Sequence, residues 1–179
     1  MASSFFEPTE SLLAPLRRAG FDVRKLSVHY RLYHPDDFAQ LYAIEEICFQ
    51  PPFRFGRRYM RDLINSSSCT TWIAEENGRL AGFAIVEVAA ETGRSIAYVP
   101  TIEVAPAHRQ QGIGAVLLRH LETSAQTAGA ATIWLHVDAQ NEVAIRLYRA
   151  QGYQQQGREQ HYYARGRAAD IFAKSLLPG

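Results

Sequence analysis

The chain has 179 residues, 47% hydrophobic and 21% charged, which suits one good-sized core and leaves a second domain cramped. Nineteen basic against eighteen acidic side chains give a formal charge of +1. No strong field then draws the chain to nucleic acid or an anionic membrane, and any partner is selected by a local site.

Residues 1–26 mix Ser, Pro and charge around Leu12, Leu13 and Leu16, with Pro15 interrupting any long helix, and read as an extension to a domain at 27–179. VHYRLYH (28–34) alternates with period two, as a strand does, and Pro35-Asp36-Asp37 opens a helix reaching about Phe49. Pro51-Pro52 breaks it, and a second helix is predicted from Arg57 to Ile64. TTWIAEE, RLAGFAIVEVAA and SIAYVPTIEV are three strands in meander order, the first two joined by Asn77-Gly78, a strong two-residue hairpin signal, and the last two by Glu91-Thr92-Gly93-Arg94.

From Gln111, the residues Ile113, Val116, Leu117, Leu121 and Ala125 recur at helical steps, and Gly129 suits the helix end. ATIWLHVD (131–138) is a nearly continuous apolar run, as in a strand covered on both faces. Asn141 can cap a helix ending near Gly152, and two further strands fit at about 153–162 and 169–176. The order β-α-α-β-β-β-α-β-α-β-β implies an α/β mixed sheet with helices on both faces. Ligands of such sheets sit at the carboxyl ends of central strands, near helix N-termini.

Cys48 and Cys69 match no CxxC or metal-ligand spacing and make no disulfide framework, so no metal is expected and a reducing cytoplasm is the expected location. The first residues have no basic n-region, and no apolar run approaches the roughly 20 residues of a membrane span.

Arg109-Gln110-Gln111-Gly112-Ile113-Gly114 places two glycines where a helix begins, at a cost of roughly 1 kcal/mol each relative to alanine. A bare backbone there lets an anion approach the free N–H groups and positive end of the helix. The loop lacks the Gly-Lys-Ser/Thr ending of a P-loop and the third glycine of a dinucleotide fingerprint, and by itself it is equally a tight turn.

Arg109-x-x-Gly112-x-Gly114 after a strand, with Asn141 and Tyr148 downstream, resembles the acetyl-CoA signature of the GNAT superfamily of N-acyltransferases. The likeness covers about residues 28–176 and implies the GNAT fold, a mixed, mostly antiparallel sheet of about seven strands. It also implies acetyl-CoA as cofactor, with Arg109, Gln110, Gln111, Gly112, Ile113, Gly114 and Ala115 at its pyrophosphate, Val104 near its pantetheine, and Asn141 and Tyr148 as further contacts. Within the superfamily, CFQPPF (48–53), LHVDAQNEVAIRLYRAQGY (135–153) and HYYARGRAADIFAKSL (161–176) look like segments of protein N-terminal acetyltransferases, the ribosomal-protein-alanine type included. Arg167, Ala168 and Gln50 depart from that pattern.

That resemblance implies direct acetyl transfer to a primary amine in a ternary complex. An α-amino group, with pKa about 8 against about 10.4 for lysine, needs only modest help to lose its proton. Tyr98 and His136 are the candidate catalytic residues, each also readable as a structural strand residue. If 98–104 is regular, Tyr98 shares a face with Ile102 and Val104, and Glu103 points away from it. Tyr148 is the candidate acid for the thiolate, or else core with Ala144 and Leu147.

Phe49, Pro51, Phe53, Tyr162 and Tyr163 are the candidate walls of an acceptor groove, or ordinary loop packing. Pro100 removes one ladder donor, and a bulge near the end of the 98–104 strand would expose an N–H for the thioester oxygen. A peptide N-terminus is the first acceptor expectation and a small amine the second, beside a non-catalytic acyl-CoA-binding module. Nothing in the residues points to an oligomeric state.

Overall fold

The computed structural model describes residues 28–91 and 94–177. The expected extension at 1–26, its short helix and the middle of the turn at 92–93 lie outside the described residues.

Strand β1 (Val28–Leu32) leads through a 3-10 turn (Pro35–Asp37) into α1 (Phe38–Cys48). Asp37 closes a capping box with His34 and accepts two hydrogen bonds from the Arg31 guanidinium, which tie the start of α1 to β1. Helix α2 (Arg57–Ile64) matches its predicted bounds. The meander β2 (Cys69–Glu76), β3 (Arg79–Glu91), β4 (Arg94–Val104) follows. Asn77 and Gly78 both have left-handed φ, 52° and 75°, as a type I′ hairpin turn requires.

Next come α3 (Ile113–Thr127), β5 (Ala130–Asp138), α4 (Glu142–Ala150), β6 (Gln154–Ala164) and β7 (Arg167–Ser175). The last hairpin turns at Arg165-Gly166, so its strands run further toward the turn than the sequence suggests.

The seven strands make one sheet ordered β1-β2-β3-β4-β5-β7-β6, with β4 and β5 parallel and the other neighbours antiparallel. Alternation along β3 decides which helices cover which face. Phe83 and Ile85 pack with Leu41, Met60 and Leu63 of α1 and α2, while Ala84 and Val86 pack with Leu117 and Leu121 of α3 and Ile145 of α4. Burying a Leu or Phe fully stabilises by about 1.5–3 kcal/mol, so packing holds these helices to the sheet. No described helix is long and apolar enough to cross a membrane.

Two irregularities in β4 position the site. Thr101 pairs with Ile85 and Tyr98 with Glu87, so three steps on β4 oppose two on β3, a bulge centred on Val99-Pro100. The bulge inverts the alternation that a regular 98–104 strand would keep. Tyr98 shares its face with Thr101 and Glu103, whereas Ile102 and Val104 point to the opposite core. In addition, β4–β5 pairing ends at Val99↔Leu135, while β5 continues with β7 to Asp138. Proline at 100 offers no N–H to a neighbouring strand, and the sheet splays open there.

Candidate active site

A cavity of about 400 Å³ occupies this splay. Tyr98, Pro100 and Thr101 line it from β4, His136 and Asp138 from β5, Asn141, Ala144 and Tyr148 from the start of α4, Phe49 and Phe53 from the loop after α1, and Tyr162 and Tyr163 from β6. Its other lining residues include Cys48, Gln50, Pro52 and Arg167. Pro51, expected in the wall, is exposed, and Pro52 takes its place.

Tyr98 and His136, 38 residues apart in the chain, meet at the cavity floor with Tyr98 Oη 3.3 Å from His136 Nδ1. The Trp134 ring lies against both, and Tyr162 stacks on the imidazole at 4.1 Å. The far side of the imidazole is occupied as well, with Nε2 3.4 Å from Glu159 Oε2. Burial pushes the His136 pKa below its ordinary value, and Glu159 opposes this only in part. The ring is neutral at pH 7. Burial, then the neighbouring Tyr162 hydroxyl, drives the Tyr98 pKa far upward, so Tyr98 is a protonated phenol.

The acceptor wall is fixed by contacts among its own side chains. Phe53 packs on Tyr163 at 4.9 Å, and Tyr163 meets Tyr162 edge-on at 4.8 Å. Arg167 lies over Phe53 and grips the Asp138 carboxylate through Nε and Nη2. Burial alone would raise the Asp138 pKa, but the Arg167 hydrogen bonds and charge with the Gln140 N–H outweigh it and hold the carboxyl below its ordinary range.

Tyr148, 8% exposed, packs with Tyr153 and Phe172 of the α3–α4 core while still lining the cavity. Burial pushes its pKa up to about 12, and its hydroxyl makes no hydrogen bond among the described residues. Core packing and an available hydroxyl coexist in this one residue. Asn141 caps α4, its Oδ1 accepting the Ala144 N–H at 3.1 Å, as expected.

The glycine loop lies outside this cavity, at the N-terminus of α3. Gln110 and Gly112 have φ of 61° and 80°, the latter as the helix N-cap, and left-handed residues beside right-handed ones are the backbone pattern of an anion-binding nest. Gly112 is required by its conformation, since a Cβ there would meet nothing within 4 Å. Gly114 faces Leu147 and Val104, where a Cβ would come to 3.4 Å of the Leu147 side chain. Arg109 turns back onto the strand end, donating from Nε to the Val104 carbonyl at 3.1 Å and from Nη2 to Cys48 Sγ at 3.5 Å.

Sequence reasoning missed Glu159, the Asp138–Arg167 pair and the fully buried Glu45. His161 has a left-handed φ of 60° inside a register shift between Glu159 and Ala164, so Glu159 and Tyr162 reach one ring although they are an odd number of residues apart. No alternation pattern signals that. Glu103, expected to face away, lies on the Tyr98 side with Oε1 taking the Thr101 hydroxyl, while burial and the adjacent Glu45 carboxyl keep it protonated. It is 2% exposed and does not line the cavity.

Among known proteins, the [Ribosomal protein bS18]-alanine N-acetyltransferase of Escherichia coli K12 is 38% identical over 88 residues, 49% of this chain and 57% of the relative. The E. coli ribosomal-protein-S18-alanine N-acetyltransferase crystal structure superposes with TM-score 0.73 at 27% identity, covering 85% of this chain and 96% of that one. Streptothricin acetyltransferase of Streptomyces lavendulae is 46% identical over 77 residues, 43% of this chain and 40% of the relative. The chain therefore spans about half the length of these curated relatives. Naa50 of Arabidopsis thaliana, solved with the bisubstrate analogue CoA-Ac-MVNAL, gives TM-score 0.72 at 27% identity over 83% of this chain and 99% of its own. The sequence pattern of the acetyltransferase (GNAT) family matches residues 38–153, well over half of the chain, and the protein belongs to that family.

Proposed function

We propose that the protein is an acetyl-CoA-dependent N-acetyltransferase that modifies the α-amino group of a protein or peptide N-terminus by direct attack. One observation carries the reading. The Tyr98–His136 hydrogen bond lies at the floor of a cavity walled by Phe53, Tyr162 and Tyr163, at the point where β4 and β5 part.

The residues fit the cofactor. The nest at Gln110–Gly114 offers N–H donors at a helix N-terminus, which suits a pyrophosphate, and the parted strands leave room for an extended arm between β4 and β5. When bound, acetyl-CoA supplies an activated acyl thioester.

The side chains then divide the proton work. Neutral His136, through Tyr98, draws the proton from an amine whose own pKa is near 8. Tyr148, a phenol held protonated by burial with its pKa pushed up to about 12, donates a hydrogen bond that stabilises the leaving thiolate, whose conjugate acid lies near 8.5, and keeps its own proton. The apolar rings of Phe53, Tyr162 and Tyr163 exclude water, while the tyrosine hydroxyls are available to peptide backbone. The likeness over most of the chain to a ribosomal-protein-S18-alanine N-acetyltransferase and to Naa50, solved with the bisubstrate analogue CoA-Ac-MVNAL, supports a peptide acceptor.

The local identity to streptothricin acetyltransferase favours a second reading, with a small amine as acceptor. A panel of N-terminal peptides and free amines, each incubated with acetyl-CoA, separates the two. Turnover of peptides beginning with small residues is expected, and turnover confined to free amines would overturn the peptide assignment.

A further inference from the structure

His136 is held from both sides. Tyr98 of β4 faces Nδ1 and Glu159 of β6 faces Nε2, with Tyr162 of β6 stacked across the ring. A neutral imidazole carries one hydrogen, and the two nitrogens differ by which one donates. A carboxylate only accepts hydrogen bonds, so a lone pair on Nε2 would be directed at negative charge. With hydrogen on Nε2 the contact is favourable, and Nδ1 presents its lone pair to the Tyr98 hydroxyl.

From this geometry we infer that Glu159 is a positioning residue that sets the His136 tautomer, making Nδ1, on the Tyr98 side, the basic atom of the site. The inference rests on the reading of His136 as the base. The amine proton passes to Tyr98 Oη as the Oη–H bond breaks and Nδ1–H forms, which leaves the phenol unchanged and the imidazole cationic. The new charge then sits between Nδ1–H···Oη and Nε2–H···Glu159, and the proton leaves to solvent after transfer. The other nearby carboxylate, Asp138 of β5, is occupied by Arg167 of β7 and does not compete, while the side chain facing His136 from β7 is Ile171. Asp170, the remaining carboxylate of β7, pairs with Val137 on the opposite face and is held by Arg158.

The test is a ring-nitrogen NMR titration of the full chain without acetyl-CoA, alongside kcat against pH with acetyl-CoA and a turned-over amine. In the wild type, neutral His136 is expected with hydrogen on Nε2. Glu159→Gln keeps a carbonyl acceptor, so the tautomer persists while the titration midpoint moves down. Glu159→Ala loses both effects, giving mixed tautomers, the lower midpoint and a fall in kcat of about tenfold, less than the about 100-fold of His136→Ala. The acid limb of kcat moves to lower pH in both Glu159 variants. An unchanged tautomer and midpoint in Glu159→Ala overturns the inference. Ring nitrogens that respond as expected, together with full turnover by His136→Ala, support the role of Glu159 and overturn only the reading of His136 as base.

Discussion

Glu45, fully buried on α1, accepts the backbone N–H of Phe55 onto Oε1 at 2.6 Å. One side chain thereby anchors the far end of the loop that carries Phe49 and Phe53 into the cavity, directly from the helix that precedes it. Glu45→Ala leaves a partly buried N–H without its partner, at a cost of up to about 1–3 kcal/mol. The expected result is a melting temperature lower by roughly 2–4 °C for each kcal/mol, and an acceptor KM raised more than the acetyl-CoA KM. Glu45→Gln retains the acceptor and is expected to keep most of both. Thermal melts and separate KM values for the two substrates check this, and equal changes in the two KM values would contradict an acceptor-loop role.

The depressed His136 pKa fixes the direction of the pH response. Catalysis needs the neutral ring, so activity is full above the folded pKa and is lost as pH falls through it, below the ordinary value of about 6.5. A kcat/KM profile is expected to be flat through neutrality on its acid side and to drop only below that value. His136→Ala should abolish the drop and lower the plateau by about 10²–10⁴-fold, and Tyr98→Phe, which cuts the relay between the amine and the imidazole, should lower the plateau and weaken the limb as well.

Tyr148→Phe removes one hydroxyl from a residue whose ring is otherwise core. The packing with Tyr153 and Phe172 is preserved, so melting should change little. kcat is expected to fall by about tenfold or more through loss of the hydrogen bond that stabilises the leaving thiolate. With its pKa near 12, Tyr148 produces no alkaline limb below about pH 11. A burst of product followed by slow turnover in the variant would instead indicate that release, not stabilisation of the thiolate, is affected.

Gly112→Ala tests the nest without a steric clash, because the space around that Cβ is open and only the φ of 80° is unfavourable. Left-handed φ costs an alanine roughly 1–2 kcal/mol, which either strains the loop or reorients its N–H groups. Calorimetric CoA affinity should weaken by about tenfold with the acceptor KM little changed. In Gly114→Ala, the new methyl meets side-chain ends of Leu147 and Val104 at 3.4 and 3.8 Å, and a smaller loss is expected.

Much of the frame was legible because local chemistry is periodic. Asn77-Gly78, the heptad-like spacing of Ile113 to Ala125, and Asn141 as a cap each specify a turn or helix by interactions within a few residues, and each appears where expected. Helix α1 begins one 3-10 turn late, since His34 and Asp37 cap that turn first. The apolar strand β5 is fully buried on only one face, because its other face carries His136 and Asp138 into the cavity lining.

By itself, then, the sequence determined the element order and the paired glycines at the start of α3, which depend on short-range backbone rules, while the family resemblance supplied the candidates Tyr98, His136 and Tyr148. Only the tertiary structure decided which candidates meet. A bulge at Val99-Pro100 inverts β4, putting Glu103 on the Tyr98 side, and a left-handed His161 lets Glu159 and Tyr162 reach the same imidazole. A one-residue shift in a strand reverses every side chain beyond it, and the pairing partners that fix such a shift lie on other strands, far away in the chain.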